Sequence, residues 1–143
     1  MLTIAAITTV AVTAVLIGSF QGGEVTIGGV AASTITYSID NALPGTWETT
    51  LTSTVISDPW YTRLEIPAGS YSGPVTITWQ LQQKDGPSSW TNVGTPQTTT
   101  IVLSGNAEEV YASNDGANSG NYDWATDATT AGTYRVDVTV ESA

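Results

Sequence analysis

The chain has 143 residues, three of them basic against 13 acidic for a net charge of −10, and it contains neither cysteine nor histidine. Disulfides, thiolate metal sites and histidine-based catalysis are thereby excluded, and the acidic balance repels phosphate backbones, so nucleic acid is not an expected partner. Charged side chains are only 11% of the residues, and 25 threonines take their place, backed by serine, glycine and asparagine. A charge-poor, hydroxyl-rich surface suits proteins that pack against copies of themselves or carry O-linked glycans outside the cell. The plainer reading is that threonine follows β-structure.

Residues 1–20, MLTIAAITTVAVTAVLIGSF, hold no charge and no proline. As a helix this segment would span about 30 Å, the thickness of a bilayer core. No lysine or arginine precedes Arg63. The segment therefore lacks the basic n-region of a secretory leader and the basic flank that orients an ordinary anchor. Ten of the twenty residues are β-branched, from Thr3 and Ile4 to Val15 and Ile17, which leans towards strand. Alternation breaks at Ala5-Ala6 and at Thr8-Thr9, and the length exceeds that of a usual strand. The balance favours a helix.

An uncharged apolar N-terminal helix that runs through Gln21-Gly22-Gly23 into a threonine-rich β-domain resembles the archaeal type IV pilins and archaeal flagellar filament proteins. The resemblance rests on the character of residues 1–20 and, beyond them, on architecture. Ala5 stands where bacterial type IV pilins carry an acidic residue, which points away from the bacterial branch. The resemblance implies residence in the membrane before assembly and a homopolymer whose core is a bundle of these helices. It implies Leu2, Ile4, Ile7, Val10, Val12, Val15, Leu16, Ile17 and Phe20 as the polymerisation interface, with Gly22 and Gly23 as the hinge. The chain then divides into a polymerisation segment, 1–23, and a β-domain, 24–143. The plain alternative is a membrane-anchoring helix on a cell-surface binding domain.

From Glu24 onwards turn signals recur roughly every eight to twelve residues, the spacing of a sandwich. Strands are predicted over 24–30, 33–40, 46–56, 61–66, 75–84, 98–103, 108–112 and 133–140. Alternation is cleanest at Val75, Ile77, Trp79 and Leu81, and again at Tyr134, Val136, Val138 and Val140. Leu43-Pro44-Gly45, Asp85-Gly86-Pro87 and Asn114-Asp115-Gly116 supply turns. Trp79 on an inward strand, followed later by Ala131-Gly132-Thr133-Tyr134, resembles the immunoglobulin-like pattern of a core tryptophan and a tyrosine corner. The expected fold class is mainly β: an immunoglobulin-like β-sandwich preceded by one long hydrophobic N-terminal α-helix. Its core holds Ile77, Trp79, Leu81, Tyr134, Val136 and Val138. If 133–140 is the penultimate strand of such a sandwich, its outer edge lacks a partner. Either strand 24–30 closes it, or the N-terminal segment of a neighbouring copy does so as a donated strand.

Signals for chemistry are few. Glu108 and Glu109 are adjacent, so in a strand they point to opposite faces and cannot work as a pair. Residues 113–127 hold Asn114, Asp115, Asn118, Asn121, Asp123 and Asp127, oxygen ligands of the kind calcium takes. Their spacing is not that of an EF-hand loop, and such clusters are mostly turns. Lys84, the single lysine, sits beside Asp85-Gly86 and reads as a solvated side chain rather than an isopeptide crosslink. Trp47, Trp60, Trp90 and Trp124 fall near strand ends or loops, as rim packing or as interface and carbohydrate contacts. No Asn-x-Ser/Thr acceptor occurs, so any glycans are expected to be O-linked. The expectation is an extracellular structural subunit without enzymatic activity or cofactor, which polymerises with identical copies for adhesion or motility.

Overall fold

The computed structural model describes residues 16–21, 24–27, 30–38 and 59–143. Nine strands follow in chain order: β1 Leu16–Gln21, β2 Glu24–Ile27, β3 Val30–Ser38, β4 Tyr61–Ile66, β5 Ser72–Lys84, β6 Trp90–Asn92, β7 Gln97–Ser104, β8 Glu108–Tyr111 and β9 Tyr134–Ser142. One 3-10 turn, Trp124–Thr126, precedes β9. The chain is mainly β, and its strands form two antiparallel sheets in a sandwich-like arrangement. The first runs β1-β9-β5, with β6 and β7 end to end along the far side of β5. The second runs β2-β3-β4-β8.

The two sheets share one core. On β5 the side chains of Val75, Ile77, Trp79 and Leu81 are fully buried while the residues between them are not, the period-two pattern of a strand with one dry face. Val136, Val138 and Val140 of β9 repeat the pattern, and Leu64, Ile66 and Val110 meet them from the second sheet. Each such side chain contributes about 1.5–3 kcal/mol by leaving water, which is what orders the sheets.

Buried polar groups tie the layers. The Trp79 indole N–H donates to Thr99 Oγ1 at 3.2 Å, and the Thr99 hydroxyl donates to the Tyr111 carbonyl at 3.0 Å. That chain crosses from the first sheet to the second. At one end of the core the indole of fully buried Trp124 donates to Thr62 Oγ1 at 2.9 Å and packs edge-on to Tyr122, with ring centroids 4.9 Å apart. Asp123 caps the 3-10 turn: its Oδ1 accepts from the Ala125 N–H at 2.9 Å and from the Trp60 N–H at 3.1 Å. The Tyr134 hydroxyl donates to the Thr130 carbonyl at 2.7 Å, so the tyrosine at the start of β9 bonds back to the corner that precedes it.

β4 coincides with the expected strand 61–66, and β5, β7, β8 and β9 differ from their expected bounds by at most three residues at either end. Elsewhere the structure departs from expectation. Leu16–Gln21, at the end of the segment expected as a helix over residues 1–20, is strand β1. The edge of β9 needs partners for its backbone groups, and the uncharged run LIGSFQ supplies them; residues 1–15 lie outside the described residues. Residues 24–30 are not one strand either: Ile27 pairs with Val30, so β2 ends there and β3 begins. They lie in the second sheet and do not close the edge of β9. β6 is missed from sequence because three residues are too few to show alternation. The strand expected over 46–56 lies outside the described residues.

Candidate functional site

The feature with functional content is the seam between the first and last strands. β1 runs antiparallel to β9, with Gly18 opposite Val140, Ser19 opposite Thr139, Phe20 opposite Val138 and Gln21 opposite Asp137. Directly opposed residues share a face of the sheet. Gly18 and Phe20 therefore stand at the register positions of buried valines, and Ser19 and Gln21 at those of outward residues. Leu16 pairs with Glu141, and the register shifts between Leu16 and Gly18, which makes Ile17 the extra residue of a bulge. The last stretch of the apolar segment is thus built into the sheet.

The seam carries a polar cost. Asp137 lies on β9 between Gln21 of β1 and Gln80 of β5. Its Oδ1 is buried and has no hydrogen-bond partner. Burial pushes the Asp137 carboxyl up, opposed by the positive charge of Arg135.

The opposite side of the sandwich is sealed by residues 113–122. Asn118 Oδ1 accepts from the Tyr111 N–H at 2.8 Å, and its Nδ2 donates to the Glu109 carbonyl at 3.2 Å, so one amide occupies the outer edge of β8. The Tyr122 N–H continues this by donating to the Ala112 carbonyl at 2.7 Å, while Gly116 accepts from the Thr100 N–H of β7 at 2.8 Å. Edge strands left open invite pairing with other chains. Here the β7/β8 side is blunted, and pairing capacity is left to the side where β1 lies.

Asp115 organises that loop. The Ser113 and Ser119 hydroxyls donate to its carboxylate, as does the Ala117 N–H at 3.0 Å, and these donors hold its pKa down at about 2. Asp127 accepts from the Tyr122 hydroxyl at 2.9 Å, and Asp123 serves as the cap described above. Asp115, Asn118, Asp123 and Asp127 thus turn their oxygens to protein donors, and among the described residues no group of three or more acidic side chains is placed to hold a metal ion.

The other sequence candidates scatter. Leu16, Ile17 and Phe20 lie in β1, whereas Leu2, Ile4, Ile7, Val10, Val12, Val15, Gly22, Gly23 and Trp47 fall outside the described residues. Ile77, Trp79, Leu81, Val136 and Val138 are fully buried, and Tyr134 is half-buried against them. Trp60 and Trp124 belong to the core. Trp90 is half-buried on β6, with the Arg135 guanidinium 4.2 Å and the Lys84 ammonium 6.0 Å from its ring centre. Arg135 also donates to Gln82 Oε1 at 2.8 Å, so it pins the short strand onto the sheet. Glu109 does not pair with Glu108; it takes Arg63 at 3.0 Å, and Arg63 also binds Glu65. Glu108 instead accepts from Ser104 of β7. The β1–β9 seam and the Asn118 seal are the features that sequence reasoning misses, the first hinted at only by the unpartnered edge of the last strand.

In comparisons with known proteins no family model matches the sequence, and neither a curated protein nor a solved structure matches it.

Proposed function

We propose that this chain is a structural subunit of an extracellular, cell-surface filament, an immunoglobulin-like sandwich that polymerises with identical copies through its apolar N-terminal segment. The observation that carries the reading is the antiparallel register of β1 on β9. It supports the segment acting as a strand that completes a sheet, and so favours a strand donated between neighbours over a bundle of helices. The immunoglobulin-like class is supported by the buried Trp79 and by the Tyr134–Thr130 corner bond. The exchange rests on a simple equivalence: a strand of one copy makes the same backbone bonds to β9 of the next as to its own. Burial of the unpartnered Asp137 oxygen lowers the stability of the closed seam and with it the cost of reopening it. The role is mechanical, for adhesion or motility, with no catalytic step.

The absence of cysteine makes a direct test available. Ser19 and Thr139 face each other across the seam, at a spacing a disulfide can bridge. Full-length Ser19→Cys and Thr139→Cys chains of different mass are mixed under assembly conditions and oxidised. The expected result is a disulfide-linked heterodimer, together with fibres in negative stain. A double variant that crosslinks only within itself, from protein that stays in the membrane fraction without fibres, would leave the anchored surface domain as the reading.

A further inference from the structure

Asp137 stands at the β1–β9 seam without a donor for its buried oxygen. Register sets Gln21 of β1 on one side of it and Gln80 of β5 on the other. Gln80 cannot serve an ionised carboxylate, because both hydrogens of its amide are spent, on the Leu81 carbonyl at 2.9 Å and the Val93 carbonyl at 3.0 Å. What Gln80 has left is a carbonyl oxygen, which accepts and does not donate. Charge gives little more. On β9 the cation is Arg135, whose Nε donates to Gln82 Oε1 at 2.8 Å and whose guanidinium lies 4.2 Å from the Trp90 ring centre, while Glu141 is a like charge. On β5 the single charge is Lys84, which sits opposite Trp90 beyond the Gln82 row. The β1 run LIGSFQ has no charge. No charged side chain precedes Glu24 in the sequence, so a segment donated by another copy brings none either.

From this we infer that Asp137 is a proton-operated latch on the β1–β9 seam, which holds the seam shut when its carboxyl is protonated and lets the strand leave when it is ionised. The inference rests on the strand-exchange form of the filament reading. A protonated carboxyl can donate to an acceptor such as the one Gln80 retains, whereas an ionised carboxylate only accepts. In the closed seam burial raises the Asp137 carboxyl above its ordinary 3.8, opposed by Arg135; in the open seam water restores the ordinary value. Closure is therefore strongest below the ordinary value and weakens as pH rises through the value of the closed state. A chain's own strand and a donated one make the same seam, so the proton cannot favour either partner. What it changes is the open state between them, and hence the rate of exchange. Acid fixes whichever strand is in place, and neutral pH lets subunits change partners.

The test uses full-length chains carrying Ala107→Cys, an exposed position in the β7–β8 turn of a protein with no cysteine of its own, labelled with a donor or an acceptor dye. Filaments are grown from each, checked by negative stain and mixed, so that energy transfer reports subunits changing partners. Exchange is expected to slow about three- to ten-fold between neutral pH and pH 3.8, the low end for an unsatisfied buried acceptor because the carboxyl is only half-buried. Asp137→Asn, which offers a donor at every pH, is expected to exchange at the slow acid rate throughout. Asp137→Thr, neutral and suited to a strand, should lose the pH dependence likewise. Core tryptophan emission reports that each variant is folded. Salt at neutral pH screens repulsion among exposed carboxylates but leaves Asp137 ionised, so it should not reproduce the effect of acid. Wild-type exchange that ignores pH, a folded Asp137 variant that keeps the pH dependence, or equal slowing in salt would overturn the latch and leave the filament standing. A wild-type chain that makes no filaments would overturn the filament reading, and the latch with it.

Discussion

Thr99 offers the sharpest test of how the two sheets are joined. It is fully buried, accepts from the Trp79 indole at 3.2 Å and donates to the Tyr111 carbonyl at 3.0 Å. Thr99→Val keeps the shape and the β-branch but removes both bonds. A buried donor left without a partner costs about 1–3 kcal/mol, and loss of the bond to the carbonyl adds about 1 kcal/mol, for an expected loss of about 2–4 kcal/mol. For a chain of this length that lowers the melting temperature by roughly 5–15 °C. Urea unfolding followed by tryptophan emission reads the change as a lower midpoint at unchanged slope, since the surface exposed on unfolding is the same. Thr99→Ser retains the hydroxyl and is expected to lose much less. A Thr99→Val chain within about 0.5 kcal/mol of wild type, the range of an ordinary surface change, would refute the claim that this hydroxyl bridges the layers.

The remaining predictions concern pH and edges. Asp115 is held at about 2, below its ordinary 3.8, so the stability it adds to residues 113–119 is complete above that ordinary value and is lost as pH falls towards 2. Amide exchange in this loop should quicken over that window, and Asp115→Asn should remove the pH dependence. Asp137 has the opposite sign. Its carboxyl is raised, so the native state favours its protonated form, and the stability this confers is present at low pH and lost as pH rises through the native pKa. Asp137→Asn should therefore raise the unfolding midpoint at neutral pH relative to wild type, with the difference closing in acid; an equal difference at both would count against the buried charge. Asn118→Ala frees the Tyr111 N–H and the Glu109 carbonyl at the β8 edge. Light scattering should then show amorphous aggregate that wild type does not form, as expected of an opened edge.

What the sequence discloses follows from how each element earns its shape. A half-buried strand writes its two faces into the chain as alternation, so Val75 to Leu81 and Val136 to Val140 are legible without any structure. β1 is not. An unbroken apolar run suits a lipid-facing helix and a buried strand alike, and the decision is made by the edge of β9, at the other end of the chain. The candidate calcium loop is ambiguous for a related reason: asparagine and aspartate are at once metal ligands and turn formers. Only the position of Asn118, aimed at the backbone of β8, resolves its role.

Those two illegible features bear on one another. A sandwich that polymerises by strand exchange has to leave one edge competent and disable the rest, or it aggregates through whichever edge is nearest. The side chain of Asn118 and the carbonyl of Gly116 disable the β7/β8 side. The pairing edge of β9 is held instead by a strand from the apolar N-terminal segment, across a bulge and beside an unsatisfied carboxylate. On the proposed reading, growth is thereby confined to one seam.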